Sequence, residues 1–425
     1  MSAPEGSDRH PDPASLKKNK VEAVRPQGKA KAPDAPRRDA AVDYEDMDAI
    51  PLMTQLLSNK KRRRLESIWS PHAHAEDDAQ RGPEPLAKTL HDAIPPHRVG
   101  TKEMYKRFPQ AYDLFMQHHQ CEALYELLSN TVLARLHATH GTAASSTAGV
   151  GAPPPPPWLR VLDMGCGTGR LEQLLVQPRA QVAAIYGYDK EVSMLEVCLA
   201  QTVRYAAAHN AGGYYRQLAL LPHAACEGAQ SGAVVLPARD ADPPGAARDA
   251  TGAHTLSLCL RPCTFEHLQA QFLRRTGHPR CQLVLCAWAL SYVVRQAWGG
   301  ERWHAHVDGV LHALLGQLDT SVSDAALVII ETLGNNTTTP TRQNTLIDYM
   351  KEHYGFEEHW VRTDYVFPSL AEGERAVQFF FGKEMAAKMR DTHLQREAGE
   401  EQAKDGTCRL LECTGIWILW KKRGT

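Results

Sequence analysis

Apolar residues recur in short runs and at helical spacing between about residues 102 and 422, and the first 98 residues carry neither pattern consistently. Residues 159–162 form a short aliphatic run that predicts a buried strand ending at Asp163. An apolar helix resumes over 171–176. Residues 182–189 predict a second buried strand, and a helix follows from Met194 to about His209. Leu256, Leu258 and Leu260 alternate over a third strand near 254–260, with a helix predicted over 264–275. Residues 282–287 and 325–330 predict the fourth and fifth strands, separated by an amphipathic helix over 304–318. A helix over 341–354 is closed by Gly355, a typical C-terminal cap. Alternation over 356–367 predicts a strand, 370–389 a helix, and 410–420 a last strand pairing antiparallel with 356–367. Strands alternating with helices in this way predict an α/β fold around a mostly parallel sheet.

The flanking segments differ. Tyr105, Tyr112, Leu114, Phe115, Cys121, Leu124, Tyr125, Leu127 and Leu128 recur every three or four residues, so 102–137 reads as N-terminal helices. His118 and His119 in that stretch read as ordinary surface or core histidines, with a catalytic role as the alternative. Residues 1–45 are rich in Pro, Ala, Lys, Arg and Asp and are expected to be disordered, as is most of 1–98. Met47, Ile50, Leu52, Met53, Leu56 and Leu57 could line a short helix ahead of Lys60, Lys61, Arg62, Arg63 and Arg64. That basic run fits a nucleic acid or a nuclear import factor, and it fits equally a solvated charge run. Residues 138–157 end in five prolines and read as a loop or stiff spacer. Residues 210–254, rich in Ala, Gly and Pro, read as a mostly irregular insertion, and 391–406 as a charged, exposed segment.

Charge and cysteine usage narrow the class. The 425 residues carry 48 basic and 49 acidic side chains, so the net charge of −1 gives no global attraction for nucleic acid. Ten cysteines are scattered without a C-x-x-C pair or a Cys/His array at zinc spacing, which predicts a reduced intracellular protein and no metal centre. The polar, proline-rich start is unlike a secretory signal. No apolar run approaches the ~18 residues that span a bilayer. A nuclear or cytoplasmic protein without a membrane partner is the expectation.

The chemistry centres on the turn after the first strand. Gly165, Gly167 and Gly169 make it almost free of side-chain bulk, and a helix opens just beyond. Backbone N–H groups at such a place can touch a ligand. A dinucleotide fold wants a third glycine five residues after the first, and that position is Arg170. VLDMGCGTG resembles the first motif of the class I S-adenosylmethionine (SAM) methyltransferases, in which an acid precedes G-x-G-x-G. The resemblance implies a doubly wound, mostly parallel seven-stranded sheet with an antiparallel C-terminal strand pair, over about 158–422. It implies that Asp163 and the Gly165, Cys166, Gly167, Thr168 and Gly169 backbone face SAM, under the 102–137 helices as a cap. Asp189 lies 20 residues after Gly169 at the end of the second strand, where a carboxylate can accept hydrogen bonds from ribose hydroxyls. It could also cap the helix that starts near Glu191, and Lys190 sits beside it.

The other strand ends complete the expected rim. Ala287 ends the fourth strand and Trp288 follows it, and both are expected to contact SAM; Trp288, Ser291 and Tyr292 lie where this family places methyl-acceptor contacts. Glu331 ends the fifth strand; it could orient the acceptor or take a proton, cap the next turn, or balance Arg342. Glu331 and Tyr292 are the candidate catalytic residues. The third strand is followed by Arg261-Pro262-Cys263-Thr264 instead of the family's acid, so adenine contacts have no assignment. The Asn/Asp-Pro-Pro-aromatic signature of amide methylation and the Pro-Cys of 5-methylcytosine enzymes are both absent. ETLG, RTDYVF, FFFG and ECTGIW resemble a subgroup related to the type 11, ubiE-like kind. The resemblance implies a SAM-dependent methyltransferase acting on RNA or protein, or on a small molecule. A non-catalytic SAM sensor or scaffold is the competing reading.

Overall fold

Aliphatic strands buried on both faces need helices on both sides, and that demand sets this architecture. The computed structural model describes residues 90–94, 101–140, 158–210, 213–221, 232–236, 254–268, 279–297, 303–322, 324–341, 345–398 and 406–422. All belong to a unit spanning Asp46–Thr425; the unit Met1–Glu45 lies outside them. The basic run Lys60 to Arg64, the 153–157 prolines, Arg342 and most of the helix expected over 264–275 also lie outside the described residues. Among those described, no helix is long and apolar enough to cross a membrane.

The N-terminal helices are α1 (Leu90–Ala93), α2 (Thr101–Arg107), α3 (Pro109–Gln117), α4 (Glu122–Leu127) and α5 (Ala134–His140). The last two are joined through a π-helical segment, Leu128–Leu133. β1 (Leu159–Met164), α6 (Glu172–Leu175), β2 (Val182–Asp189) and α7 (Val192–His209) follow. Next come β3 (Tyr215–Leu220), β4 (Gly232–Val235), β5 (His254–Pro262) and β6 (Leu283–Ala287). Then come α8 (Leu290–Ala297), α9 (Trp303–Leu315), β7 (Asp324–Thr332) and α10 (Thr345–Tyr349), which runs on as a π-helical turn to Gly355. The C-terminal part is β8 (Glu357–Arg362), β9 (Tyr365–Phe367), α11 (Leu370–Phe380), α12 (Lys383–Ala398), β10 (Cys408–Leu410) and β11 (Cys413–Lys422).

The main sheet has the order β4-β3-β5-β2-β1-β6-β7-β11-β8. β11 runs antiparallel to both neighbours, β7 and β8, which is the reversed C-terminal pair the sequence implies. From β1 the chain builds outward through β2 and β5 on one side, then returns to build β6 and β7 on the other. This reversal opens a crevice beyond the carboxyl ends of β1 and β6. Alternate residues of each strand face opposite layers. Val161, Ile185, Leu285 and Val328 pack under α4 and α7, whereas Leu162, Val284, Leu327 and Trp417 pack against α8, α9 and α10. A third cluster joins α3 to the β9–β10 pair and to α11 and α12 through Phe115, Phe367, Val377 and Met389.

Four segments differ from the sequence pattern. The stretch read as an irregular insertion supplies β3 and β4, so the sheet has nine strands where seven were expected. Asn210 clamps the start of β3, its amide donating to the Tyr215 carbonyl and accepting from the Tyr215 N–H at 2.7 and 2.8 Å. The alternation over 356–367 is one strand in sequence and two in space. Thr363 and Asp364 turn the chain between β8 and β9, with Arg362 paired to Asp364. The 370–389 helix breaks at Gly382, whose φ of +100° a side chain rarely adopts. The charged tail from 391 remains helical as far as Ala398.

Gly415 tests the packing of the reversed strand. A Cβ there would lie 2.1 Å from the Trp417 ring and 2.6 Å from Leu333 Cδ1, and Trp417 is fully buried. Gly415→Ala should lower stability by about 1–3 kcal/mol, seen as a lower urea midpoint. An unchanged midpoint would mean the ring has room to move.

Candidate functional site

The turn after β1 is shaped by backbone geometry. Gly165, Gly167 and Gly169 have φ of +83°, +57° and +89°. A Cβ on Gly165 would lie 2.6 Å from Ala289 Cβ, so β1 and the segment after β6 can approach only through a glycine. A Cβ on Gly167 would meet nothing closer than Met194 Cε at 3.6 Å, because that side of the turn faces a cavity. The end of β2 fixes the turn. The Tyr188 carbonyl accepts from the N–H groups of Gly165 and Cys166 at 2.6 and 3.1 Å. The two Asp189 carboxylate oxygens accept from Gly167 N at 3.1 Å and Glu191 N at 2.8 Å. Asp189 thus organises both the turn and the entry to α7. Each of its oxygens still has a lone pair for a ligand hydroxyl.

The cavity holds about 430 Å³, within the ~300–1,000 Å³ typical of small-ligand sites. Asp163, Gly165, Cys166, Gly167, Thr168, Asp189, Lys190, Ala287, Trp288 and Tyr292 all line it. Gly169 sits behind the turn, where a Cβ would lie 3.1 Å from Cys198 Sγ. Glu331 is buried and not among the lining residues; it accepts from Ser291 N at 2.8 Å and so caps the helix that carries Tyr292. The sequence reading placed any cap at the turn after β7; the bond observed is to the start of α8 instead.

Further lining residues were not singled out by sequence. Thr264, Phe265 and Glu266 follow β5 and fill the position where no acid stood directly after the strand. Tyr105 and Tyr112 come from the N-terminal helices, and the Tyr105 hydroxyl is 2.6 Å from that of Tyr292. Arg170 lines the floor. Its presence in place of the dinucleotide glycine was the one signal available for it. Trp288 has a φ of +51°, a conformation costing a non-glycine residue about 1–2 kcal/mol, and its N–H is held by the Ile330 carbonyl at 2.7 Å. This turns the indole toward the cavity and against His119, with ring centroids 5.5 Å apart.

The charges under the cavity are unusual. Asp163 is buried, and its carboxyl group shares a hydrogen bond with that of Glu172. Burial, then the neighbouring Asp189, pushes its pKa up to about 7. Burial and the nearby Cys198 and Asp163 hold Glu172 well above the usual carboxyl range. Burial works against the Arg170 charge, yet Tyr125, Cys121 and Tyr205 around it keep its pKa above the ordinary value. Arg170 donates through Nη2 to the His119 carbonyl, and its Nε is buried without a partner. His119 is held neutral: burial, then Arg170, lowers its pKa to about 3.

The motifs RTDY, ECTG and ETLG build a frame beside the cavity. His119 stacks on Tyr365 at 4.4 Å, and the Val366 N–H donates to the His118 carbonyl at 2.9 Å. Glu412 Oε1 accepts from Gly334 N and Cys413 N at 2.7 and 2.9 Å. The Thr363 and Thr414 hydroxyls meet at 2.6 Å. His118 and His119 both take part in this frame, and His119 also meets the cavity-lining Trp288.

No family model matches the chain. No curated protein matches it. Among solved structures it is similar to YcgJ from Bacillus subtilis, with 12% identity and a TM-score of 0.32 over 64% of this chain and 94% of that one. It is similar to a SAM-dependent methyltransferase from Geobacter sulfurreducens in complex with S-adenosyl-L-homocysteine, with 11% identity and a TM-score of 0.28 over 71% and 98%. It is also similar to phosphoethanolamine N-methyltransferase 2 of Haemonchus contortus, with 11% identity and a TM-score of 0.33 over 80% and 61%. Scores this low carry no functional argument, so the weight rests on the chain's own turn, strand order and cavity.

Proposed function

We propose that this chain is a SAM-dependent methyltransferase whose site is the cavity beyond β1, β2 and β6. The observation that carries the reading is the glycine turn itself. Gly167 opens on the cavity, with Asp189 at the rim and the Asp163 carboxyl group inside. A cationic, ribose-bearing ligand matches these groups. Asp163 would face the methionine end, the turn backbone would follow the chain of the ligand, and Asp189 would take the ribose hydroxyls. Thr264, Phe265 and Glu266, beyond β5, suit the adenine.

When bound, SAM supplies a methyl group activated by its sulfonium. The protein's part is then alignment and exclusion of water. Tyr105, Tyr112, Trp288 and Tyr292 provide aromatic and hydroxyl walls suited to a cationic centre. Tyr292 is the wall nearest the expected acceptor side, and Glu331 positions it through the α8 cap. A small acceptor is the reading this enclosure favours, because α2 and α3 place tyrosines over the cavity. An RNA or protein acceptor in the nucleus rests on Lys60 to Arg64 alone. The two separate by salt: phosphate contacts give acceptor binding a steep dependence on ionic strength, and a small neutral acceptor gives little.

Three outcomes test the site. Gly167→Arg should abolish SAM binding in calorimetry while the chain stays folded, since the new side chain enters the cavity. Unchanged affinity would place the ligand elsewhere. Asp189→Ala should weaken SAM binding by about 1–3 kcal/mol, the scale of a lost charged hydrogen bond. Equal affinity would remove Asp189 from the site. Incubation with methyl-labelled SAM and a cell extract should move label into the small-molecule fraction. Binding without transfer to any fraction would instead favour the sensor reading.

A further inference from the structure

At the glycine turn, three buried side chains from three elements converge. They are Cys166 on the turn, Glu172 on α6 and Cys198 on α7, and their donor atoms all lie within 4.8 Å of one another. Cys198 is pressed against the turn, its Sγ 3.1 Å from where a Cβ on Gly169 would be. Its other polar neighbour is Thr202 Oγ1, at 3.9 Å. Glu172 is fully buried, and its hydrogen-bonding neighbour is a second buried acid, Asp163. Two buried carboxyl groups together are costly, by several kcal/mol if both are charged. A cation among Glu172 and the two thiols would remove that cost.

We propose that Cys166, Glu172 and Cys198 form a site for a thiophilic divalent cation of the zinc type. Two sulfurs and one carboxylate oxygen are a donor set that Zn²⁺ accepts, with bonds of about 2.3 and 2.0–2.2 Å. Tetrahedral bonds of those lengths put donors roughly 3.3–3.8 Å apart. The donor atoms, up to 4.8 Å apart, must close by roughly an ångström to make such bonds. Binding releases the two thiol protons and any proton on Glu172, so it strengthens as pH rises. The bound ion would tie the turn, α6 and α7 together. The ligands are separated by 6 and 26 residues, which is why no zinc spacing is visible in sequence.

The test uses the full chain, reduced with a phosphine and stripped with a chelator, then titrated with Co²⁺ alone. The wild type should bind one equivalent and develop a near-ultraviolet thiolate-to-cobalt band. Cys198→Ser and Glu172→Gln should each weaken binding at least tenfold, with circular dichroism reporting the fold. Glu172→Gln keeps the shape of the side chain and serves if the cysteine variant fails to fold. No band in the wild type overturns the site without recourse to either variant. An undiminished band in a folded variant overturns it too, by assigning the metal to other cysteines. The readout is independent of SAM, so a failed methyltransferase reading leaves it standing, and the reverse holds.

Discussion

One carbonyl and one carboxylate at the end of β2 hold the feature on which the site depends. The Tyr188 carbonyl takes two N–H groups of the glycine turn, and Asp189 takes a third. These bonds exist because β1 and β2 pair in parallel with Asp163 opposite Gly187 and Met164 opposite Tyr188. A slip of one residue would send every side chain of β1 to the other layer. Gly187 is part of the same constraint. A Cβ there would lie 2.7 Å from Leu260 Cδ2 and 3.2 Å from Cys166 Sγ, so the turn can fold down over β2 only if that position is bare. The turn is thus rigid through hydrogen bonding from below, while its upper surface stays free of side chains.

The C-terminal motifs serve this turn at a distance. Arg170, the first residue beyond Gly169, reaches the His119 carbonyl. His119 stacks on Tyr365, and the chain beside Tyr365 is pinned by Asp364, whose carboxylate accepts from Glu412 N at 3.0 Å. Glu412 in turn holds the N–H of Gly334, just past the end of β7. A line of buried polar contacts therefore runs from the reversed strand to the ligand turn. Such networks specify a unique geometry when every member is satisfied, and they are costly when one is lost. This gives the motifs a physical reason to occur together without any of them lining the cavity.

Sequence reasoning reached the parts of the molecule that are local. β1, β2, β6 and β7 are runs of aliphatic residues buried on both faces, and such runs announce themselves without knowledge of their partners. The glycine turn is legible because its φ angles demand glycine. Asp189 is legible because strand ends fall at fixed places relative to the turn. Tyr105, Tyr112 and Arg170 were harder. Each reaches the cavity through packing between elements distant in sequence, and each would also serve as an ordinary core or surface residue. β3 and β4 were missed for a different reason. They are short, and their few apolar residues lie among Ala, Gly and Pro that weaken any periodicity. Phe356 to Phe367 misled in the opposite sense, since alternation persists through a corner where the chain leaves one sheet for another.

The placement of Glu331 shows why a carboxylate at a strand end does not by itself indicate a proton acceptor. Its oxygen is committed to the first turn of α8, whose N–H groups need a partner once the helix starts in a buried place. The same capping fixes the phase of α8, and hence which of its residues face the cavity. Among its described side chains, those of Tyr292 and Val293 do. Trp288 is aimed by a different device, a left-handed backbone held by the Ile330 carbonyl next to Glu331. Both aromatic walls on this side therefore take their position from the carboxyl end of β7. This side of the cavity is therefore a surface set by backbone bonds of the sheet, defined before any side chain has to move.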